Sequence, residues 1–125
     1  YHAIDKDKYN VYLFYLDKNY NFYFDDALNK IDTYKDETYK KLPKITFYNK
    51  DQKVCFEGID KRKIKGIVDI FIPVVHGEGV EDGTITGYLD TLGAVYTSSD
   101  LTSSSIAQDK IYSKIILEKE KMQSL

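Results

Sequence analysis

The sequence predicts an α/β fold, with an open, mostly parallel sheet flanked by helices and hairpins added in the first half. Two observations lead to this class. Strand-like and helix-like segments alternate in the second half, and the longest apolar run, IVDIFIPVV (Ile67–Val75), is rich in β-branched residues. Such a run is typical of a parallel strand covered on both faces. A length of 125 residues fits a single domain, residues 1–125, with one core.

Composition excludes several classes of protein. Hydrophobic residues make up 42% of the chain and charged residues 30%, as in ordinary soluble domains. The 18 basic and 20 acidic side chains give no basic excess, so we expect no nucleic-acid partner. No apolar run approaches the roughly 20 residues that cross a bilayer, so we expect no membrane partner. The single cysteine, Cys55, cannot form an internal disulfide and reads as a small apolar strand residue; we expect a cytoplasmic protein.

The first half of the chain predicts two hairpins. Residues 1–10 resemble the end of a helix and a turn, so we expect the chain to begin within an element. A strand at VYLFYL (Val11–Leu16), broken by the turn DKNYN, is followed by a hairpin partner at FYF (Phe22–Phe24). Residues 25–42 are polar and predict a loop with a short helix. The strands ITFYN and VCFEG flank KDQK and form a second hairpin that closes at Gly58.

The second half predicts strand, helix, strand, helix. The basic segment IDKRKIKGI is expected to be a solvated connector, and Ile67–Val75 a central strand. One apolar helical stripe follows, at Ile85, Tyr88, Leu89 and Leu92, with Gly93 as its C-terminal stop. AVY is a short strand. TSSDLTSSS is a polar linker that starts a brief helix, and Asp109 is the predicted N-cap of the last helix.

The junction HGEGVEDGTITG (His76–Gly87) is rich in both glycine and acid. Gly77, Gly79 and Gly83 come close to a dinucleotide-binding fingerprint, whose backbone amides attract phosphate at the start of a helix. Three carboxylates, those of Glu78, Glu81 and Asp82, already occupy that field. A phosphate is therefore disfavoured, and the turn is better suited to an ammonium group or a lysine.

A purely structural reading of the junction stays open. In it, Asp82 caps the helix and Glu78 is solvated, and the residues alone leave His76 and Glu81 divided between structure and function. A metal site built from His76, Glu78 and Glu81 lacks a recognised ligand spacing, so no metal ligand is assigned.

The stretch from Pro73 to Leu117 resembles the end of the N-terminal domain of D-alanine–D-alanine ligases, whose signature runs H-G-x-x-G-E-D-G-x-hydrophobic-Q-G, with a later D-K pair. Matching positions are His76, Gly77, Glu81, Asp82, Gly83, Ile85, Gly87, Tyr96, Asp109 and Lys110. The opening, AIDKDKYNVYLFYLDKNYNFYF, also resembles the family. Val80 stands where the family has glycine, so we expect a different loop path or an altered site. Thr86 stands where the family has glutamine or a small residue, which is a milder change. The family's first strand would lie before Tyr1.

The resemblance implies a Rossmann-like domain of the pre-ATP-grasp type, in a longer chain that binds ATP and Mg²⁺ mainly through later domains. ATP would phosphorylate the first D-alanine, and the amine of the second would displace phosphate to give a dipeptide for peptidoglycan. His76 would lie beside the first D-alanine, Glu81 would order that pocket by pairing with a lysine, and Lys110 would reach the ATP phosphates. Gly77, Asp82 and Gly83 would form the structural loop. D-alanine and ATP would be the partners, and a homodimer is compatible with this reading.

Three alternatives remain. One is a relative that joins D-alanine to D-serine or D-lactate. Another is an α/β module that keeps the scaffold without the chemistry, which the substitution at Val80 would suit. The third is a nucleotide-binding module that would bind NAD(P), which the three acids disfavour.

Because the resemblance assigns the magnesium ligands and the nucleotide cleft to later domains, we expect residues 1–125 alone to have no ligase activity. A coupled assay of ADP release, with and without D-alanine, checks this. ADP release from the isolated chain that depends on D-alanine would contradict the prediction.

Overall fold

The computed structural model describes residues 3–60, 63–77 and 79–120. The chain forms a mixed α/β structure whose contacts group into two units, Tyr1–Tyr48 with Cys55–Ile67 and Asn49–Val54 with Val68–Leu125. No helix in the described ranges is long and apolar enough to cross a membrane.

The chain forms a five-stranded sheet, most of whose residues belong to the first unit, and the strands lie in chain order. They are β1 (Phe14–Leu16), β2 (Phe22–Phe24), β3 (Lys44–Lys50), β4 (Lys53–Gly58) and β5 (Lys65–Val68). The first pairs are antiparallel, with Phe14 opposite Phe24 and Phe22 opposite Ile45. The prediction of a mostly parallel sheet is therefore wrong for these strands. Both predicted hairpins are confirmed, although β1 is shorter than Val11–Leu16.

Side-chain hydrogen bonds hold the first hairpin turn, and left-handed backbone conformations form the second. Between β1 and β2, Asp17 accepts hydrogen bonds from the backbone N–H groups of Asn19 and Asn21, both at 2.9 Å, and from the hydroxyl of Tyr23 at 3.1 Å. Between β3 and β4, Asp51 and Gln52 both have positive φ. Two such residues in succession fit the right-handed twist of a two-residue hairpin.

Short helical segments fill residues 25–42, as expected. They are 3₁₀ helices at Asp26–Asn29 and Thr38–Lys41, with α1 (Asp32–Lys35) between them. The side chains of Tyr12, Phe14, Phe24 and Phe47 gather around Phe56, which is 1% exposed, and four of their ring pairs have centroids 4.9 to 5.1 Å apart. Edge-on and tilted aromatic packing of this kind forms the centre of the first unit.

Three helices dominate the second unit. They are α2 (Thr84–Thr91), α3 (Leu101–Gln108) and α4 (Lys110–Lys119). In α2 the predicted stripe is confirmed, because Ile85, Leu89 and the following Leu92 are buried and Tyr88 is half-buried. Gly93 has a φ of +68°, the left-handed conformation that ends a helix. Asp109 caps α4 as predicted.

Two predictions for the second half are wrong in part. The run Ile67–Val75 is not a buried central strand: β5 ends at Val68 and lies at the end of the strand order, and Ile70, Ile72 and Val74 are 51 to 80% exposed. Its one described parallel pairing is the bridge between Phe71 and Tyr96. Side chains alternate between the two faces of an extended run, so a run that packs on one face only leaves every second side chain exposed. The predicted basic connector is partly a strand, because Lys65–Ile67 belong to β5; Lys61 and Arg62 lie outside the described residues. The brief helix expected to start within TSSDLTSSS is present as α3.

Gly66 provides a stability test of this packing. A Cβ atom at Gly66 would lie 2.4 Å from Cε1 of Phe56, and that ring is held by its aromatic neighbours. We expect Gly66→Ala to lower the free energy of unfolding by about 1–3 kcal/mol, measured by urea denaturation.

Gly87→Ala is the matched control. A Cβ there would meet Leu101 at 3.4 Å, an ordinary contact, and Gly87 lies inside α2. This change should raise the free energy of unfolding by up to about 1 kcal/mol, because alanine favours a helix interior. Equal effects of the two substitutions would contradict the packing described for Phe56.

Candidate functional site

The acidic loop, residues 76–83, leads into α2. Its glycines adopt conformations that side chains disfavour, with φ of +102° at Gly77, +81° at Gly79 and +97° at Gly83. Val80 is not among the described non-glycine residues with positive φ. The loop therefore uses Gly79 for its left-handed step and accommodates valine at the next position. Glu78 lies outside the described residues.

Carboxylates of the loop bind its own backbone amides. The N–H of Gly77 donates to Oε2 of Glu81 at 2.7 Å, and the N–H of Gly79 donates to Oδ2 of Asp82 at 3.0 Å. Oδ1 of Asp82 accepts from both the N–H and the hydroxyl of Thr84, at 3.0 and 2.7 Å. Amides that would cradle a phosphate are thus already satisfied by internal acceptors.

His76 and Glu81 are brought together at the start of this loop. Nδ1 of His76 lies 3.5 Å from Oε1 of Glu81, and the two side chains are 88% and 43% exposed. The hydrogen bond from Gly77, followed by the contact with His76, holds the pKa of Glu81 below its ordinary value. Hydrogen bonds from Thr84 likewise lower the pKa of Asp82. Both carboxylates are therefore ionised at neutral pH, and the pair presents negative charge to solvent.

A cavity of about 320 Å³ opens beside the loop. Its apolar lining comes from Pro73, Val75, Val80, Ile85 and Ala107, and its polar lining from Glu81, Thr86, Ser98, Ser99, Ser103, Ser104 and Gln108. The cavity joins Glu81 to the end of α3, whereas His76 does not line it. The serines were not predicted as part of a site. Their one sequence signal is Asp100, which caps α3 by accepting from the N–H of Ser103 at 2.8 Å.

Lys110 is the first residue of α4 and is exposed. The preceding residue, Asp109, accepts from the N–H groups of Ile111 at 2.8 Å and Tyr112 at 3.1 Å. The first amides of α4 are thereby occupied, and the ammonium of Lys110 is the group that this helix start offers to an anion. Among the described residues, no cluster of three or more His, Cys, Asp or Glu side chains could hold a metal ion.

Comparison with known proteins gives one consistent result. Residues 1–99 match the family model described as D-ala D-ala ligase N-terminus. The chain is 32% identical over 124 residues to a D-alanine–D-alanine ligase of Thermosipho melanesiensis and 31% identical over 126 residues to one of Oceanobacillus iheyensis. These alignments cover 96% and 93% of this chain, but the chain spans only 33% of the length of either relative.

Solved structures agree on the fold. The D-alanine–D-alanine ligase of Coxiella burnetii superposes with a TM-score of 0.75 at 24% identity, over 95% of this chain and 34% of the other. For the ligase of Helicobacter pylori the TM-score is 0.72 at 20% identity, over 91% of this chain and 36% of the other. At these identities the likeness concerns the fold alone.

The bond between Gly77 and Glu81 predicts a pH response. Since it stabilises the ionised carboxylate, the folded pKa lies below the ordinary 4.5. Its contribution to stability is complete above the unfolded pKa and is lost as the pH falls through the folded pKa. We expect the amide proton shift of Gly77, followed by NMR, to titrate with a midpoint below 4.5.

Glu81→Gln is the control for this titration, because the amide side chain still accepts from Gly77 but does not ionise. The shift of Gly77 should then lose this transition, while that of Gly79, which reports Asp82, keeps its own. A Gly77 midpoint at or above 4.5 in the unaltered chain would show that Glu81 is not held in this way.

Proposed function

The chain belongs to the family of D-alanine–D-alanine ligase N-terminal domains, and from this we propose that residues 1–125 are the N-terminal substrate-binding domain of an ATP-dependent ligase. That ligase would join two molecules of D-alanine for peptidoglycan synthesis in the cytoplasm, with ATP and Mg²⁺. A homodimer is the expected assembly. The observation that carries this proposal is the acidic loop, in which the amides of Gly77 and Gly79 are bound by the loop's own carboxylates.

The electrostatics of the loop favour D-alanine over a nucleotide. A zwitterionic amino acid brings an ammonium group, which an ionised carboxylate attracts, whereas a phosphate would meet two carboxylates and no unoccupied amide of Gly77 or Gly79. In the proposal, His76 contacts the first D-alanine through its solvent-facing ring. Glu81 orients His76 and orders the pocket by pairing with a lysine. Gly77, Asp82 and Gly83 keep the loop in the shape that brings these two groups together.

Lys110 serves the other substrate. ATP, when bound, supplies the phosphoryl group that activates the carboxylate of the first D-alanine. The exposed ammonium of Lys110 would bind phosphate oxygens and neutralise part of their charge as it shifts during transfer. The described residues contain no cluster of metal ligands. In this proposal Lys110 binds the phosphates, and the Mg²⁺ ligands belong to the rest of the ligase.

The Rossmann-like, mostly parallel sheet is also part of this proposal. Phe71 accepts from the N–H of Thr97 at 3.0 Å and donates to the carbonyl of Val95 at 2.8 Å, the start of a parallel ladder. Exposed isoleucines on the same run give it the composition of a covered strand. We propose that Ile67–Val75 pairs as a parallel strand within the complete ligase.

The geometry weakens two of the three alternatives. A non-catalytic module was suggested by Val80, but Gly79 supplies the left-handed conformation instead. An NAD(P) module would need loop amides that bind pyrophosphate, and these amides are occupied. A ligase that joins D-alanine to D-serine or D-lactate would share the features described above.

Removal of single charges tests the two roles in the protein translated from the complete reading frame. Lys110→Ala should raise KM for ATP about tenfold or more, with KM for D-alanine nearly unchanged, because the lost ammonium contacts phosphate alone. Glu81→Gln should show the reverse pattern. Steady-state ADP release at varied ATP and varied D-alanine measures both.

Lys114→Ala is the matched control for Lys110→Ala. Lys114 is an exposed lysine one turn further along α4, paired with Glu118 at 3.8 Å, and its loss should leave both KM values unchanged. If Lys110→Ala behaves like Lys114→Ala, Lys110 has no role at the phosphates. An absence of D-alanine-dependent ADP release from the unaltered protein would overturn the ligase assignment itself.

A further inference from the structure

Two serine hydroxyls fasten α3 to its neighbours. Oγ of Ser105 donates to the carbonyl of Asp82 in the acidic loop at 2.7 Å, and it also lies 2.8 Å from the carbonyl of Leu101. Oγ of Ser113 in α4 donates to the carbonyl of Ile106 in α3 at 2.6 Å. We call these two contacts the serine staples. They connect the acidic loop to α3 and α3 to α4.

Contact between the acidic loop and α3 leaves no room for adjustment. A Cβ atom at Gly83 would lie 2.7 Å from Cδ1 of Leu101, 2.8 Å from the carbonyl oxygen of Leu101 and 2.9 Å from Oγ of Ser105. The backbone of the loop therefore packs directly against α3, and the Ser105 staple fixes this contact. The acidic loop and α3 are therefore expected to move together.

The joint between α3 and α4 is a single residue. Asp109 ends α3 by donating its N–H to the carbonyl of Ser105 at 3.2 Å, and it begins α4 as the N-cap. Its φ of −86° and ψ of +108° are extended, so rotation about these bonds would swing α4 relative to α3. Ser113 bonds across this joint, from one turn inside α4 to a residue before the joint. The Ser113 staple therefore restricts the swing.

We propose that Ser113 is a positioning residue for Lys110 and acts through the angle between α3 and α4. Lys110 directly follows the joint, so the staple sets where its side chain starts relative to α3 and the acidic loop. The ammonium group of Lys110 would then bind a polyphosphate. This part of the inference rests on the function proposed above. Ser105, which contacts the loop, lies about 6 Å along α3 from the joint at Asp109, so one rigid helical turn separates the loop contact from the start of α4.

The test compares Ser113→Ala with Ser113→Thr in the protein translated from the complete reading frame. Ser113→Ala should raise KM for ATP about 3- to 10-fold and change KM for D-alanine less than about twofold, because Lys110 is the one residue of α4 to which a substrate contact is assigned. Ser113→Thr keeps the hydroxyl and should restore KM for ATP. Thr91→Ala is the control, since the hydroxyl of Thr91 donates to Gly87 at 2.9 Å within α2 and spans no joint.

A double-mutant cycle separates positioning from general stabilisation. If Ser113 acts through Lys110, adding Ser113→Ala to Lys110→Ala changes KM for ATP no further. An effect of Ser113→Ala that is equally large with and without Lys110 would overturn the proposal, as would an unchanged KM for ATP in the single variant.

Binding of inorganic tripolyphosphate, measured by calorimetry on the same proteins, distinguishes this proposal from the ligase assignment. We expect Ser113→Ala and Lys110→Ala each to weaken this binding, without an additive effect. That result in a protein without ligase activity would support the positioning role and reject the function. Ligase activity together with tripolyphosphate binding that is indifferent to Ser113 would do the opposite.

Discussion

The structure of the site depends on one constraint: the backbone amides of Gly77 and Gly79 in the acidic loop are satisfied by carboxylates of the same loop. Gly77 and Gly79 direct their N–H groups at Glu81 and Asp82, and an unpaired amide would be costly wherever it is shielded from water. The hydrogen bond from Gly77 lowers the pKa of Glu81, and hydrogen bonds from Thr84, followed by that from Gly79, lower the pKa of Asp82, so both carboxylates are ionised at neutral pH. A glycine-rich junction thereby presents negative charge, which in the proposed function attracts the ammonium group of an amino acid.

This internal pairing also explains why the loop can anchor a second element. Once its N–H groups and carboxylates are committed to each other, the carbonyl of Asp82 remains available and accepts from Ser105 in α3 at 2.7 Å. Gly83 brings the backbone of the loop against Leu101 without an intervening side chain. The loop is therefore defined twice, by its own hydrogen bonds and by the helix that packs on it, and a change on either side would be felt by the other.

The structural features that the sequence predicted correctly are those that depend on residues close together in the chain. The stripe of α2 and both hairpins depend on periodicity and turn residues, and these predictions are confirmed. The predicted burial of Ile67–Val75 failed because apolar composition does not say which neighbours cover a strand. The signature placed glycine at position 80, yet Gly79 carries the positive φ, a shift of one residue that spacing alone does not resolve. The staple between Ser105 and Asp82 joins residues 23 apart, and no periodic pattern in the sequence indicates this contact.

The elements that α3 connects differ in electrostatic potential. The acidic loop at one end carries ionised carboxylates, whereas the other end meets the start of α4, where the helix dipole is positive. A lysine at that start is electrostatically unfavourable, and Asp109 offsets the cost by binding the first amides. No ion pair to a described residue engages the ammonium of Lys110. In the proposed function, an anionic ligand at Lys110 would offset this unfavourable position, and α3 would set the distance of that ligand from the loop.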